Sequence, residues 1–260
     1  MPGLSEGSYG RLKHAPHRRK ILMTQLTDTA YAAKPIQQRR NLARITGAAG
    51  LLTLVLVLGS SLANDYQSAA IDSSAIETVA FFRSIDDAFG AISSFATAVG
   101  LIAMLWFTLG LALLLRRYEG ELPWRSVFLA GAGVVSVVSG QIASWDAAAY
   151  RSEDIDPQIA RYAFDLGNLS FANGWVASGA VGISAALIVL GTHDLPHWLG
   201  WWGLVAGVGS VLARAVWTEG YAFVPFAAFW IWVAVLSVAL LLGRFAVLGD
   251  ETSRLEVSDE

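Results

Sequence analysis

The sequence predicts an all-α, polytopic membrane protein: a six-transmembrane-helix bundle with short amphipathic helices in its two long outer loops. Three observations lead there. Of 260 residues, 55 % are hydrophobic and only 15 % are charged, against about 25 % charged in an ordinary soluble domain. The apolar residues gather into six runs, each close to the roughly 20 residues that cross a hydrocarbon core. The basic residues between the runs fall mostly on alternate connections, as they do when one side of a membrane collects arginine and lysine.

The six spans, in order, are Ile45–Ala63, Ile92–Leu115, Val127–Trp145, Leu169–Leu190, Leu199–Trp217 and Val224–Gly243. With the N-terminus inside, the cytoplasmic face holds Lys34, Arg39, Arg40, Arg44, Arg116, Arg117, Arg125, Arg244 and Arg254, and the outer loops hold Arg83, Arg151 and Arg161. That bias sets both termini in the cytoplasm. Trp124, Trp198, Trp201 and Trp202 mark the inner interface, and Trp145 and Trp217 the outer one. Ser61-Leu62-Ala63 has the small residues of a signal-peptidase site. The preceding region is far longer than an ordinary signal-peptide start, so span 1 is expected to remain as a helix. Residues 1–40, polar and rich in Gly, Pro, Arg and Gln, read as a disordered cytoplasmic tail. Residues 41–248 read as the six-span domain and 249–260 as a second cytoplasmic tail.

Both long outer loops carry helix signals. Ser74 and Glu77 form a capping-box pattern. Ile76, Val79, Phe82, Ile85 and Phe89 follow at helical spacing, opposite Glu77, Arg83, Asp86 and Asp87. In the second loop Asp156 is an N-cap and Pro157 the first helical residue, with Ile159, Tyr162, Leu166 and Leu169 on one face. Each predicts a short amphipathic helix at the outer surface.

A weak internal repeat relates spans 2–3 to spans 4–5. Ala88-Phe89 matches Ala163-Phe164, Leu122-Pro123-Trp124 matches Leu195-Pro196-His197-Trp198, and Gly131-Ala132-Gly133 matches Gly207-Val208-Gly209; Trp145 and Trp217 end the two units. The offsets run from 72 to 76 residues, and parallel repeats of this kind occur in transporters.

Packing should follow small residues, because lipid tails are as apolar as leucine and only close backbone approach favours helix contact over lipid contact. Span 3 carries Ala132, Ser136, Gly140, Ser144 and Ala148 at four-residue intervals; span 4 carries Ser170, Gly174, Ser178, Gly182 and Ala186 likewise. These stripes predict antiparallel contact between spans 3 and 4, or alternatively an interface with a second copy or a partner subunit.

Polar groups inside spans are costly, and here they gather in the outer half. Arg214, Gln141, Asp146, Asp165, Asn168, Asn173 and Glu219 form one layer, with Trp145, Trp175, Trp217 and Tyr221 around it. One reading is an outward-facing ligand site in which Arg214 pairs with Asp146, Asp165 or Glu219. The other is polar glue, with Arg214 snorkelling to the surface.

Several chemistries lack their residues. There is no cysteine, hence no disulfide, thiolate catalysis or iron–sulfur cluster. Lysine occurs only at Lys13, Lys20 and Lys34, so no late span offers one for a Schiff base. The four histidines, His14, His17, His193 and His197, all lie outside the spans, which removes bis-histidine haem ligation within the bundle. Pro196 breaks the helical spacing that a His193–His197 metal site needs. With a formal charge of −3 there is no basic face for nucleic acid. No cofactor and no metal are expected.

Arg39-Arg40-Asn41-Leu42-Ala43-Arg44-Ile45-Thr46-Gly47, leading into span 1, and Pro225-Phe226-Ala227-Ala228-Phe229-Trp230, opening the helix that Arg244 closes, resemble the corresponding segments of bacterial six-helix membrane families of unknown function. The resemblance covers about a fifth of the chain and implies the six-span architecture in a bacterial plasma membrane; it carries over no catalytic residue. The expected function is that of a non-enzymatic accessory subunit, or a binder of lipid or a small ligand, with the lipid bilayer as its first partner. The alternatives are a small-molecule transporter built on the two-helix repeat, and an enzyme acting on lipid through Asp146, Asp165 or Glu219.

Overall fold

The computed structural model describes residues 37–60, 70–85, 87–139, 143–193 and 195–243, with the side chains of 87–89 outside that set. The bulk of both tails, Ser61-Leu62-Ala63, Gly140, Gln141 and Asp194 therefore lie outside the described residues, as do the side chains of Asp86, Asp87 and Phe89. The described residues contain helices and no strand. Six helices are long and apolar enough to cross a membrane: Gln37–Leu58, Gly90–Tyr118, Trp124–Tyr150, Pro157–Leu190, His197–Val216 and Gly220–Leu241.

We label the helices α1 (Gln37–Leu58), α2 (Ala75–Arg83), α3 (Asp87–Leu115), α4 (Trp124–Ser139), α5 (Ala143–Tyr150), α6 (Pro157–Leu190), α7 (His197–Ala213) and α8 (Phe223–Leu241). α1 begins well ahead of Ile45 because Gln, Arg and Leu are good helix formers; hydropathy marks the apolar run, not the helix. α6 begins at Pro157 rather than Leu169. The Asp156 carboxylate accepts the N–H groups of Gln158 at 2.8 Å and Ile159 at 3.4 Å, and nothing then interrupts the helix before Leu190.

Within residues 42–260 the spans close into a ring in chain order, and a small or hydroxylated residue marks most of the contacts. α1 meets α3 where Gly100 admits Val57 and Leu56, carried on a π-helical turn at Leu54–Leu58. α3 meets α4 where Thr108 lies against Gly133. α4 meets α6 through the Ser136 and Ser178 hydroxyls, 3.1 Å apart. α6 meets α7 at Gly179, Gly182, Gly203 and Gly207. α7 and α8 are tied by two indoles: Trp232 donates to Leu199 O at 3.0 Å and Trp202 to Ala228 O at 3.2 Å. α8 returns to α1, where Ser237 lies against Gly47 and Gly50. Phe107, Val181, Ala185, Phe229 and Val233 are fully buried within the ring. Among the described residues every buried polar side chain is a serine or threonine. Several of these hydroxyls donate to the carbonyl one turn back, as Thr53 does to Ala49 O at 2.9 Å and Ser210 to Ala206 O at 2.8 Å, whereas the Thr46 and Ser237 hydroxyls have no hydrogen-bond partner among the described residues.

The lengths are unequal, and the excess forms a cap. The 20-residue span His197–Val216 is about 30 Å long, the thickness of a hydrocarbon core. α6 has 34 residues and runs to about 51 Å. Arg214, near the end of the shorter span, meets Asn173, so the part of α6 ahead of Asn173 projects beyond it. There α6 packs with α2 and α5 around Val79, Phe81, Phe82, Ala148, Ala160 and Phe164.

The cap helices match their expected inward faces only in part: in α2 Val79 and Phe82 are buried as expected and Ile85 packs beside them. In α2 the buried residues are Thr78, Val79, Phe81 and Phe82, while Ile76 is 75 % exposed. On α6, Ile159, Tyr162, Leu166 and Leu169 do share a face, but it is the exposed one. Ala160, Phe164 and Gly167 are buried instead. The reason is the one that governs the spans: small Ala160 and Gly167 let neighbouring elements approach α6 closely, whereas large side chains hold them off.

Candidate functional site

The polar residues expected to form one layer separate into distinct pairs. Arg214, following α7, is partly buried and donates through Nε to Asn173 Oδ1 at 2.9 Å. It forms no ion pair among the described residues. Asp165 is held instead by Arg161, one turn earlier on the same helix: Nη2 lies 3.0 Å and Nε 3.1 Å from its two carboxylate oxygens. Asp146, exposed on α5, accepts the Ser94 hydroxyl at 2.6 Å. Glu219 is exposed between α7 and α8. The pairing of Arg214 with a carboxylate is therefore replaced by Arg214–Asn173 and Arg161–Asp165. The i,i+4 spacing of Arg161 and Asp165 puts them on one helix face, a signal obscured by reading Arg161 as an outer-loop charge.

The remaining polar members serve the helices. Asn168 donates to Phe164 O at 3.0 Å, one turn back. Trp145 donates its indole N–H to the same carbonyl at 3.2 Å. Its ring stacks on Phe164 with centroids 5.3 Å apart and rests against the α-carbon of Gly167, where an added Cβ would collide with it. Trp175, 1 % exposed, packs with Ala213, Ala222, Trp217 and Phe226. Its ring also meets those of Phe171 and Phe223, at 5.8 and 5.0 Å.

The helix-packing residues divide similarly. Ser136 and Ser178 meet between α4 and α6, and Gly174 lies beside Ser139, to which an added Cβ would come no closer than 3.9 Å. Gly182 turns to the other neighbours, 2.9 Å by the same measure from Gly203 O and 3.5 Å from Phe229. Ser144 and Ser170 are partly buried.

Two cap arginines hold the loops. Arg161 also donates to Ser73 O and Ile71 O, and Arg83 donates to Ser152 O and Glu153 O, both at 2.9 Å. At the opposite end Glu119 caps α4 from outside the helix, accepting the N–H groups of Arg125 at 2.9 Å and Ser126 at 2.7 Å. Sequence spacing did not single out these roles, because each partner is a backbone group brought in by the fold.

Chemically, the cap-end rim offers one guanidinium, Arg214, oriented by an amide and lacking a carboxylate partner among the described residues, with aromatic rings beside it. Among the described residues no group of three His, Asp or Glu is placed to hold a metal ion. The chain matches no family model, no curated protein and no solved structure.

Proposed function

We propose that the protein is a non-enzymatic integral membrane protein, an accessory subunit or a binder of lipid or a small amphipathic ligand, with the cap end as its working surface. In this reading it lies in a bacterial plasma membrane with the cap outside and both termini in the cytoplasm. The observation that carries it is the sorting of polarity: buried polar side chains among the described residues are all Ser or Thr, and Arg214, Asp146 and Asp165 stand at the cap-end rim or in the cap. A protein that moves protons or ions by alternating access ordinarily keeps an ionisable site near the midplane. Arg44, Arg116, Arg117 and Arg125 at the end away from the cap support the orientation.

The test is purification from native membrane in mild detergent, followed by mass measurement of the intact particle. A stoichiometric lipid, ligand or subunit is expected to co-purify. Bare protein that carries solute across vesicle membranes would overturn the reading. A reporter fused after Glu260 should be active on the cytoplasmic side; periplasmic activity would reverse the orientation.

A further inference from the structure

We propose that Arg214 and Asn173 form a binding site for a phosphate oxyanion at the cap-end rim, at the depth of a phospholipid headgroup. This rests on the ligand-binding reading above and names the chemistry of the ligand. The argument starts from the guanidinium. Among the described residues Arg214 donates only through Nε, to Asn173 Oδ1 at 2.9 Å. Among the described residues its Nη1 and Nη2 groups have no acceptor, and no carboxylate lies within ion-pair distance. Arg161, in the cap, has the opposite arrangement, with Asp165 and two carbonyl oxygens as partners.

Two parallel N–H donors on a rigid planar fork match two oxygens of a phosphate. Asn173 fixes the plane of that fork, so less freedom remains to be lost on binding. Asn173 is itself exposed and keeps its amide N–H groups without a partner among the described residues.

Depth points to the source of the phosphate. Arg214 lies two residues before the end of the span His197–Val216, in a final 3-10 turn, about 4 Å of helix rise inside the boundary. Its side chain easily reaches headgroup level from there. Trp217 and Tyr221 follow, Trp217 packing partly buried against Trp175 and Tyr221 standing 64 % exposed, as aromatic residues do at a membrane interface.

The experiment uses the full chain in detergent, titrated by native mass spectrometry with phosphatidylglycerol, with diacylglycerol of the same acyl chains, and with inorganic phosphate as competitor. Phosphatidylglycerol is expected to bind more tightly than diacylglycerol. Arg214→Gln should weaken phosphatidylglycerol about tenfold and leave diacylglycerol unchanged. Arg214→Lys, which keeps charge but loses the fork, should fall between, and it decides the matter if the Gln variant does not fold. Competition by inorganic phosphate at millimolar concentration would assign the site to soluble phosphate compounds; lack of competition would assign it to lipid.

If phosphatidylglycerol remains preferred and neither Arg214 variant changes its affinity, the site is wrong while lipid binding stands. If phosphatidylglycerol and diacylglycerol bind equally, Arg214 is only snorkelling and the site is again wrong. If the wild type retains no lipid or other amphiphile, the lipid-binding reading fails together with the site.

Discussion

Gly179 and Gly207 face each other across α6 and α7, each against the other's backbone carbonyl, with Val211 and Ile183 beside them. A Cβ added to Gly179 would stand 2.5 Å from Gly207 O, and one added to Gly207 would stand 2.7 Å from Gly179 O. Dispersion and weak Cα–H···O contacts between helices need this closeness. Either glycine changed to alanine must push the helices apart, at a cost of about 1–3 kcal/mol for overpacking. Thermal unfolding in detergent should show a clear loss for Gly179→Ala and Gly207→Ala. Gly131→Ala, with open space around the position, should leave the midpoint unchanged or raise it slightly. Gly174→Ala, with only ordinary contacts to gain, should be tolerated. Equal behaviour of all four variants would remove the α6–α7 seam as a tight point of the bundle.

The hydroxyl pair between α4 and α6 makes a smaller prediction. Ser136 and Ser178 are both buried, and their oxygens are 3.1 Å apart. A double-mutant cycle of Ser136→Ala and Ser178→Ala should give a coupling of roughly 0.6 kcal/mol, typical of polar contacts between membrane helices. Strictly additive single substitutions would mean that the hydroxyls lie near each other without interacting.

In the cap, Trp145 is the residue on which the packing turns. It stacks on Phe164, meets Phe81 and Phe82 edge-on, and covers Gly167. Trp145→Ala should destabilise this cluster by about 3–5 kcal/mol. Hydrogen exchange of α2 amides should accelerate strongly, while exchange in α7 and α8 stays as it was. Uniform acceleration through the spans would show that cap and bundle unfold as one unit.

The capping box of α2 predicts a pH dependence. The Ser74 N–H donates to Glu77 Oε2 at 2.6 Å, and the Ser74 side chain adds to the effect. Together they hold the Glu77 carboxyl below its ordinary value of 4.5. A carboxyl depressed in the folded state stabilises above its unfolded value and loses that contribution as pH falls through the folded one. Protection of the first turn of α2 should therefore be level above about pH 4.5 and decline at lower pH. Glu77→Gln should flatten the decline, and an unchanged profile in that variant would assign the acid sensitivity to other groups.

Much of the architecture was legible because membrane solvation is a coarse, one-dimensional rule. Six apolar runs, the Asp156–Pro157 start and the Ser74–Glu77 box each depend on residues a few positions apart. The buried face of α6 was less legible. Counting Ile159, Tyr162 and Leu166 as an inward face presumes that large apolar residues are buried, but α6 is approached along Ala160 and Gly167. The polar layer was legible as a set of depths and not as a set of partners. Arg214, Asp146 and Asp165 do lie towards one end of the bundle, yet depth along the axis says nothing about position around it. Asn173, Ser94 and Arg161 were the residues within reach.

The sequence by itself determined the number of spans, the helical class and the start of the cap helices, since burial in hydrocarbon and helix capping are decided by local composition. Only the tertiary structure decided which glycines meet, which side chain Arg214 reaches and which face of α6 is covered. Those outcomes depend on rotation of each helix about its axis, and that rotation is set by how closely residues distant in sequence can pack.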